Sequence, residues 1–149
     1  MAERSAPIPY WLISGFLFLW GLAYAALVIF TFGLATPEHW QGLVQEGRIR
    51  AEYAQYIAQI PTWAIIATLL AAITRLAGGC ALLLRRRWAA PCYAVSLLLV
   101  ATLMFRAFVF ADVTEVIRPS QIALEAGFLA LSVFAPWWAR RQWQHGLLR

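Results

Sequence analysis

Long uncharged stretches alternate with short polar ones along this chain, and the apolar stretches are of membrane-spanning length. The first runs from about Tyr10 to Ala35 with no charged residue. At about 26 residues it exceeds the roughly 20 needed to cross a hydrocarbon core, so some tilt or overhang is expected. The second covers about 62–84 and is broken by one charge, Arg75. A third covers about 88–111, with Arg106 near its end, and a fourth about 120–138, with Glu125 near its start. The pattern predicts an all-α protein, a bundle of four transmembrane helices forming a single domain over residues 1–149.

Residues 36–60 form a polar interlude. Thr36-Pro37-Glu38 has the chemistry of a helix start: a capping hydroxyl, a proline at the first helical position and an acid in the first turn. Gly42 and Gly47 weaken the middle of the segment. From Ile49 onward, Tyr53, Tyr56, Ile57 and Ile60 recur at helical spacing between Arg50, Glu52, Gln55 and Gln59. That is an amphipathic stretch, suited to the membrane surface or to the mouth of the bundle, and Pro61 stops it.

Composition supports the membrane reading. Only 13% of residues are charged and 62% are hydrophobic, with a mean hydropathy of +0.68, whereas about a quarter of a soluble domain is charged. The lipid bilayer is therefore the first partner. The net charge is +5, and all 12 cationic residues are arginine. Most of the excess sits in Arg85-Arg86-Arg87 and Arg140-Arg141, which flank apolar segments, so the basic balance points to membrane topology and not to nucleic acid. The cation-rich turn and tail belong on the cytoplasmic side, which places both termini there and the other two loops outside. Trp11, Trp88, Trp137 and Trp138 then mark the inner interface and Trp63 the outer. The apolar run after the short segment from Met1 to Pro9 is too long for a signal-peptide core and lacks a small-residue cleavage site, so it reads as a retained span.

Charges inside spans normally face protein and find partners. Arg106 and Glu125 each lie about 8 Å below the outer ends of antiparallel neighbouring spans, so they are expected to pair. Arg75 lies roughly 20 Å from the outer end of its span. It shares a face with Ala67, Ala71 and Gly79, small residues that admit a close helix. Its candidate partners are Glu125, the hydroxyls of Thr68, Tyr24 or Ser132, or a bound anion. Gln121, Glu125 and Ser132 share one face of the fourth span. Ser14, Gly21, Tyr24 and Thr31 share one face of the first. Such residues line a slightly polar path or act as interhelical glue.

Cys80 and Cys92 stand at similar depth beside the reducing cytoplasm and read as packing residues. No span holds a histidine, and no nucleophile–base set, P-loop or metal-ligand spacing occurs. No catalytic residue, metal site or cofactor is expected.

The stretch from about Leu19 to Val100 resembles small four-span bacterial inner-membrane proteins often labelled sugar transporters. The shared features are Thr36-Pro37-Glu38, a tyrosine shortly before Ile60-Pro61-Thr62-Trp63, the glycine, leucine and arginine run from Gly79 to Arg87, and the aromatic-x-x-Ser-Leu pattern from Tyr93 to Leu97. Members tend to carry an Asn and an Asp-Tyr pair in span 1, where this chain has Gly21-Leu22-Ala23-Tyr24. The resemblance implies the four-span fold. Two functional expectations follow. The first is a non-catalytic accessory subunit, assembled as a homo-oligomer or within a larger membrane complex. The second is a small-solute transporter, for a sugar-like or anionic solute, working as an oligomer.

Overall fold

The computed structural model describes residues 6–110 and 119–148, with only the backbone at Phe110 and at 119–122. It is helical throughout, and no strand occurs among the described residues. Helix α1 spans Ile8–Ile29 and continues as a π-helical turn, Phe30–Leu34. Two short helices follow, α2 (Pro37–Gln45) and α3 (Ala51–Ala58). Helix α4 spans Thr62–Leu83, and α5 spans Ala89–Phe105 with a second π turn at Arg106–Phe110. Helix α6 covers Pro119–Gln144. Among the described residues three stretches, Ile8–Leu34, Thr62–Leu83 and Ala89–Val109, are long and apolar enough to cross a membrane.

Proline chemistry starts these helices. Pro7 and Pro61 take extended backbone immediately before α1 and α4. Thr36 caps α2, its hydroxyl accepting the His39 N–H at 3.4 Å. Three helices end in the same device. The residue after the cap turns left-handed, and the amide beyond it reaches back five residues. Gly47 (φ 68°) closes α2 in this way and Gly146 (φ 72°) closes the C-terminal helix. Gly47 is thus a stop and not a weak point inside a helix, because only glycine enters that backbone region without strain. At the third end Arg85 takes the position, at φ 55°. Arg86 N–H then bonds Ala81 O at 2.7 Å, folding the α4–α5 hairpin tightly.

The sequence places the end of the last apolar stretch at Trp138, yet α6 runs on to Gln144, passing through Pro136. Hydropathy marks where a helix leaves hydrocarbon. It does not mark where the helix stops, and the polar residues after Trp138 continue the same turn.

Helix α4 lies between α1 and α5, and α5 packs on α6. The contact stripe of α4 is made of small residues: Ala64, Ala71, Ala72, Gly78, Gly79 and Ala81 are all buried. The opposite faces of the helices present Leu12, Phe16, Leu19, Ile73, Leu98 and Val133, all more than half exposed. Such an apolar belt suits lipid and not water.

The two ends of the bundle differ. At the arginine-turn end, Tyr10, Leu17, Leu82, Ala89, Tyr93, Ala139, Leu147 and Leu148 form a closed core. The Tyr10 hydroxyl donates to Leu82 O, and Arg85 Nε donates to Leu147 O at 3.1 Å. The C-terminal residues that sequence assigns to a basic aromatic tail therefore plug this end. At the opposite end the long helices and α3 together line a cavity.

Candidate functional site

Two connected features occupy the interior: a buried arginine, and above it a cavity roofed by α3.

Arg75 is 1% exposed. Gly21 on α1 makes room for it, since a β-carbon there would stand 3.5 Å from Arg75 Cγ. The guanidinium carbon lies 4.1 Å from the centre of the Trp20 ring and 4.2 Å from that of Tyr24. Trp20 and Tyr24 are one helical turn apart, so their side chains share a face. Arg75 Nη2 donates to Ser132 Oγ at 2.8 Å, and that hydroxyl donates in turn to Phe128 O at 2.7 Å. The charge is therefore met by two aromatic faces and one hydroxyl. Cation–π contacts of this kind reach about 2 kcal/mol when desolvated.

This arrangement corrects part of the sequence expectation. Of the proposed partners, Ser132 supplies its hydroxyl, whereas Tyr24 supplies its ring. The Thr68 hydroxyl is engaged by its own helix, donating to Ala64 O at 2.8 Å. No ion pair joins Arg75 to Glu125, and the Arg48–Glu46 pair lies on the surface. Buried polar atoms remain close to the arginine. Arg75 Nη1, Trp20 Nε1 and Tyr93 Oη have no hydrogen-bond partner among the described residues.

The small-residue face of α4 is filled from within the chain. A β-carbon on Gly79 would meet Phe18 of α1, and one on Gly78 would meet the Tyr93 ring of α5, each at 3.0 Å. Ala71 is fully buried, and its carbonyl accepts Ser96 Oγ at 3.1 Å. Ala67 is half-buried.

The cavity above encloses about 320 Å³. Tyr24 and Phe128 form its floor, 6.2 Å apart, and Tyr53 and Tyr56, stacked at 6.4 Å, form its roof. Arg106 and Glu125 both line it, half-buried, from α5 and α6. They do not form the expected ion pair. Depth along two neighbouring helices sets their level but not the direction each side chain takes. Arg106 instead leans towards Tyr56, 5.9 Å from the ring centre. Burial pushes the Tyr53 phenol above its usual range, with Glu125 and Tyr56 adding to the shift. Tyr24 belongs to both features: one contact is with Arg75, another is with the cavity.

The side chain of Gln121 lies outside the described residues. Cys80 is exposed, Cys92 is half-buried, and both are free thiols. Among the described residues no group of three or more His, Cys, Asp or Glu side chains is placed to hold a metal.

Trp20 and Phe128 are the site residues that sequence reading misses. A signal for Trp20 exists: tryptophans of membrane proteins collect at the interfaces, and one near the middle of a span, a turn from Tyr24, calls for an interior partner. No protein-family model matches the chain, and neither a curated protein nor a solved structure matches it significantly.

Proposed function

We propose that this chain is a non-catalytic, four-span protein of a bacterial inner membrane that binds a small polar solute in the cavity beneath α3. The cavity carries the proposal. Its volume, about 320 Å³, falls in the range of small-molecule sites. Its lining combines aromatic faces with two charged groups, drawn from every long helix and from the roof. The transport expectation draws support from the same place, because Tyr24 links this cavity to Arg75 deeper in the bundle. The resemblance to four-span proteins labelled sugar transporters points the same way.

The four-span count is supported by α6. Its 26 residues would extend about 39 Å at helical rise, and it contributes Ser132 and Phe128 to the interior. The five arginines of the α4–α5 turn and the α6 end argue for cytoplasmic termini. The cavity then opens towards the outer surface.

The accessory-subunit reading draws on a second cleft. It measures about 600 Å³ between the end of α1 and the α2–α3 pair, and its lining includes Phe32, Trp40, Val44 and Ile57. An apolar cleft of that kind suits a neighbouring helix or an acyl chain. Its weaker point is the small-residue stripe of α4, which is already covered by α1 and α5.

Equilibrium binding to purified protein and uptake into proteoliposomes test the solute reading. Arg75→Ala and Glu125→Gln are expected to abolish uptake while the helical signal and elution volume stay as in the parent. If both variants merely unfold, these residues are structural and the reading fails.

A further inference from the structure

We infer that the roofed cavity is built for a zwitterion, a small solute bearing an ammonium and an anionic group. This rests on the reading of the cavity as a solute site. The carrying observation is that Arg106 and Glu125 line one cavity without pairing with each other. Opposite charges at a partly desolvated site attract strongly. Among the described residues neither has another ion-pair partner, so each remains to be met by a ligand. A neutral ligand would leave both charges unmet. A simple anion would leave Glu125 unmet, and a simple cation would leave Arg106 unmet. A ligand with both charges satisfies the two together.

The aromatic residues sharpen the class. Tyr53 and Tyr56 present a stacked pair from the roof, while Tyr24 and Phe128 present two rings tilted to each other from the floor. Ring faces attract ammonium groups, and a cage of rings beside a carboxylate is a recognised way to hold a quaternary one. Arg106, beside Tyr56, offers a planar fork of donors suited to a carboxylate or phosphate. The ammonium is thus placed between the ring pairs near Glu125 and the anion at Arg106. The cavity is too small for a large solute, but a free amino-acid-like molecule or the head group of a zwitterionic phospholipid fits equally.

The test is calorimetric titration of the purified protein, in a polyoxyethylene detergent, with four probes of graded charge. Glycine betaine carries both charges, choline the cation, acetate the anion, and glucose neither. Glycine betaine is expected to bind about tenfold or more tightly than the other three, because each missing charge leaves a partly buried partner unpaired. Glu125→Gln is expected to weaken glycine betaine and choline but not acetate. Arg106→Gln should weaken glycine betaine and acetate but not choline. Glucose binding at least as tightly as glycine betaine would overturn the zwitterion and leave the solute site standing. Binding of none of the four would remove the solute reading too. The source is settled in nanodiscs of phosphatidylglycerol with or without phosphatidylethanolamine. Competition by the zwitterionic lipid assigns the site to a head group, and its absence assigns it to a free solute.

Discussion

A β-carbon placed on Gly79 would stand 3.0 Å from the α-carbon of Phe18, so α1 and α4 cross closely enough that a side chain there would have to push the helices apart by a few tenths of an ångström. The obstacle is backbone, which cannot swing aside as a side chain can. Gly79→Ala is therefore expected to destabilise the protein by about 1–3 kcal/mol, the usual cost of overpacking. Gly127 is the control. It lies in α6, and a β-carbon there would have nothing within 4 Å, so Gly127→Ala should raise stability by about 0.5–1 kcal/mol through helix propensity alone. Thermal melting in one mild detergent compares the two.

Ser132 tests how Arg75 is held. Removing its hydroxyl leaves Nη2 of a buried charge without its acceptor, while Nη1 already has none among the described residues. A hydrogen bond to a charged group contributes about 1.5–3 kcal/mol, and Ser132→Ala is expected to cost that much. Arg75→Lys should cost a comparable amount, because a lysine lacks the planar fork that stacks against Trp20 and Tyr24. Arg75→Met should be milder than either, since it removes the charge along with the need for partners. The ranking by melting temperature decides the matter. An Arg75→Met variant less stable than Ser132→Ala would mean that the charge itself holds the bundle.

The start of α2 carries a pH dependence. The Thr36 hydroxyl, together with a backbone donor, holds the Glu38 carboxyl below the usual carboxylate range. A depressed folded-state pKa stabilises the capped helix above the unfolded-state value, and the gain is lost as pH falls through the lower, folded value. Thr36→Ala is expected to cost about 1 kcal/mol of local helix stability and to return Glu38 towards the ordinary range. Carboxyl NMR titration of Glu38 and amide exchange at His39 read the two effects separately.

The spans α1, α4 and α5 were legible because length and hydropathy alone determine them. Thr62–Leu83 coincides with the sequence expectation to within a residue. The interior was less legible for a definite reason. Most positions of a spanning helix are apolar whichever way they face, so Phe128, against Trp20, does not stand out by residue type from exposed Leu124, although it falls on the helix face of Glu125 and Ser132. Arg75 stood out because a charge in hydrocarbon must face inward, and Ser132 was one of several candidate partners that the sequence left open. The absence of an Arg106–Glu125 pair was not legible. Helical rise sets the level of each residue but not the direction its side chain takes, and Arg106 leans towards Tyr56. The roles of Gly47 and Gly146 depend on a backbone region that a residue name permits but does not demand.

The span count can be decided by which side of the membrane each end of α6 occupies. In a background of Cys80→Ser and Cys92→Ala, single cysteines replace Arg86 in the α4–α5 turn, Gln144 at the end of α6, and His39 or Gln45 on α2. All four positions are exposed, so a membrane-impermeant maleimide reaches them wherever they face water. With four crossings, Arg86→Cys and Gln144→Cys react only in inverted vesicles, and His39→Cys and Gln45→Cys only in right-side-out ones. With three crossings, α6 stays on the outer side, and Gln144→Cys joins the α2 pair. Retention of Arg86 inside while Gln144 labels outside would thus remove α6 from the bilayer. Because Ser132 and Phe128 reach Arg75 and Trp20 from α6, that result would also require the interior packing to form outside hydrocarbon. The burial of Arg75 among α1, α4 and α6 favours the first outcome, since a helix that completes the pocket of a mid-span arginine must share its depth.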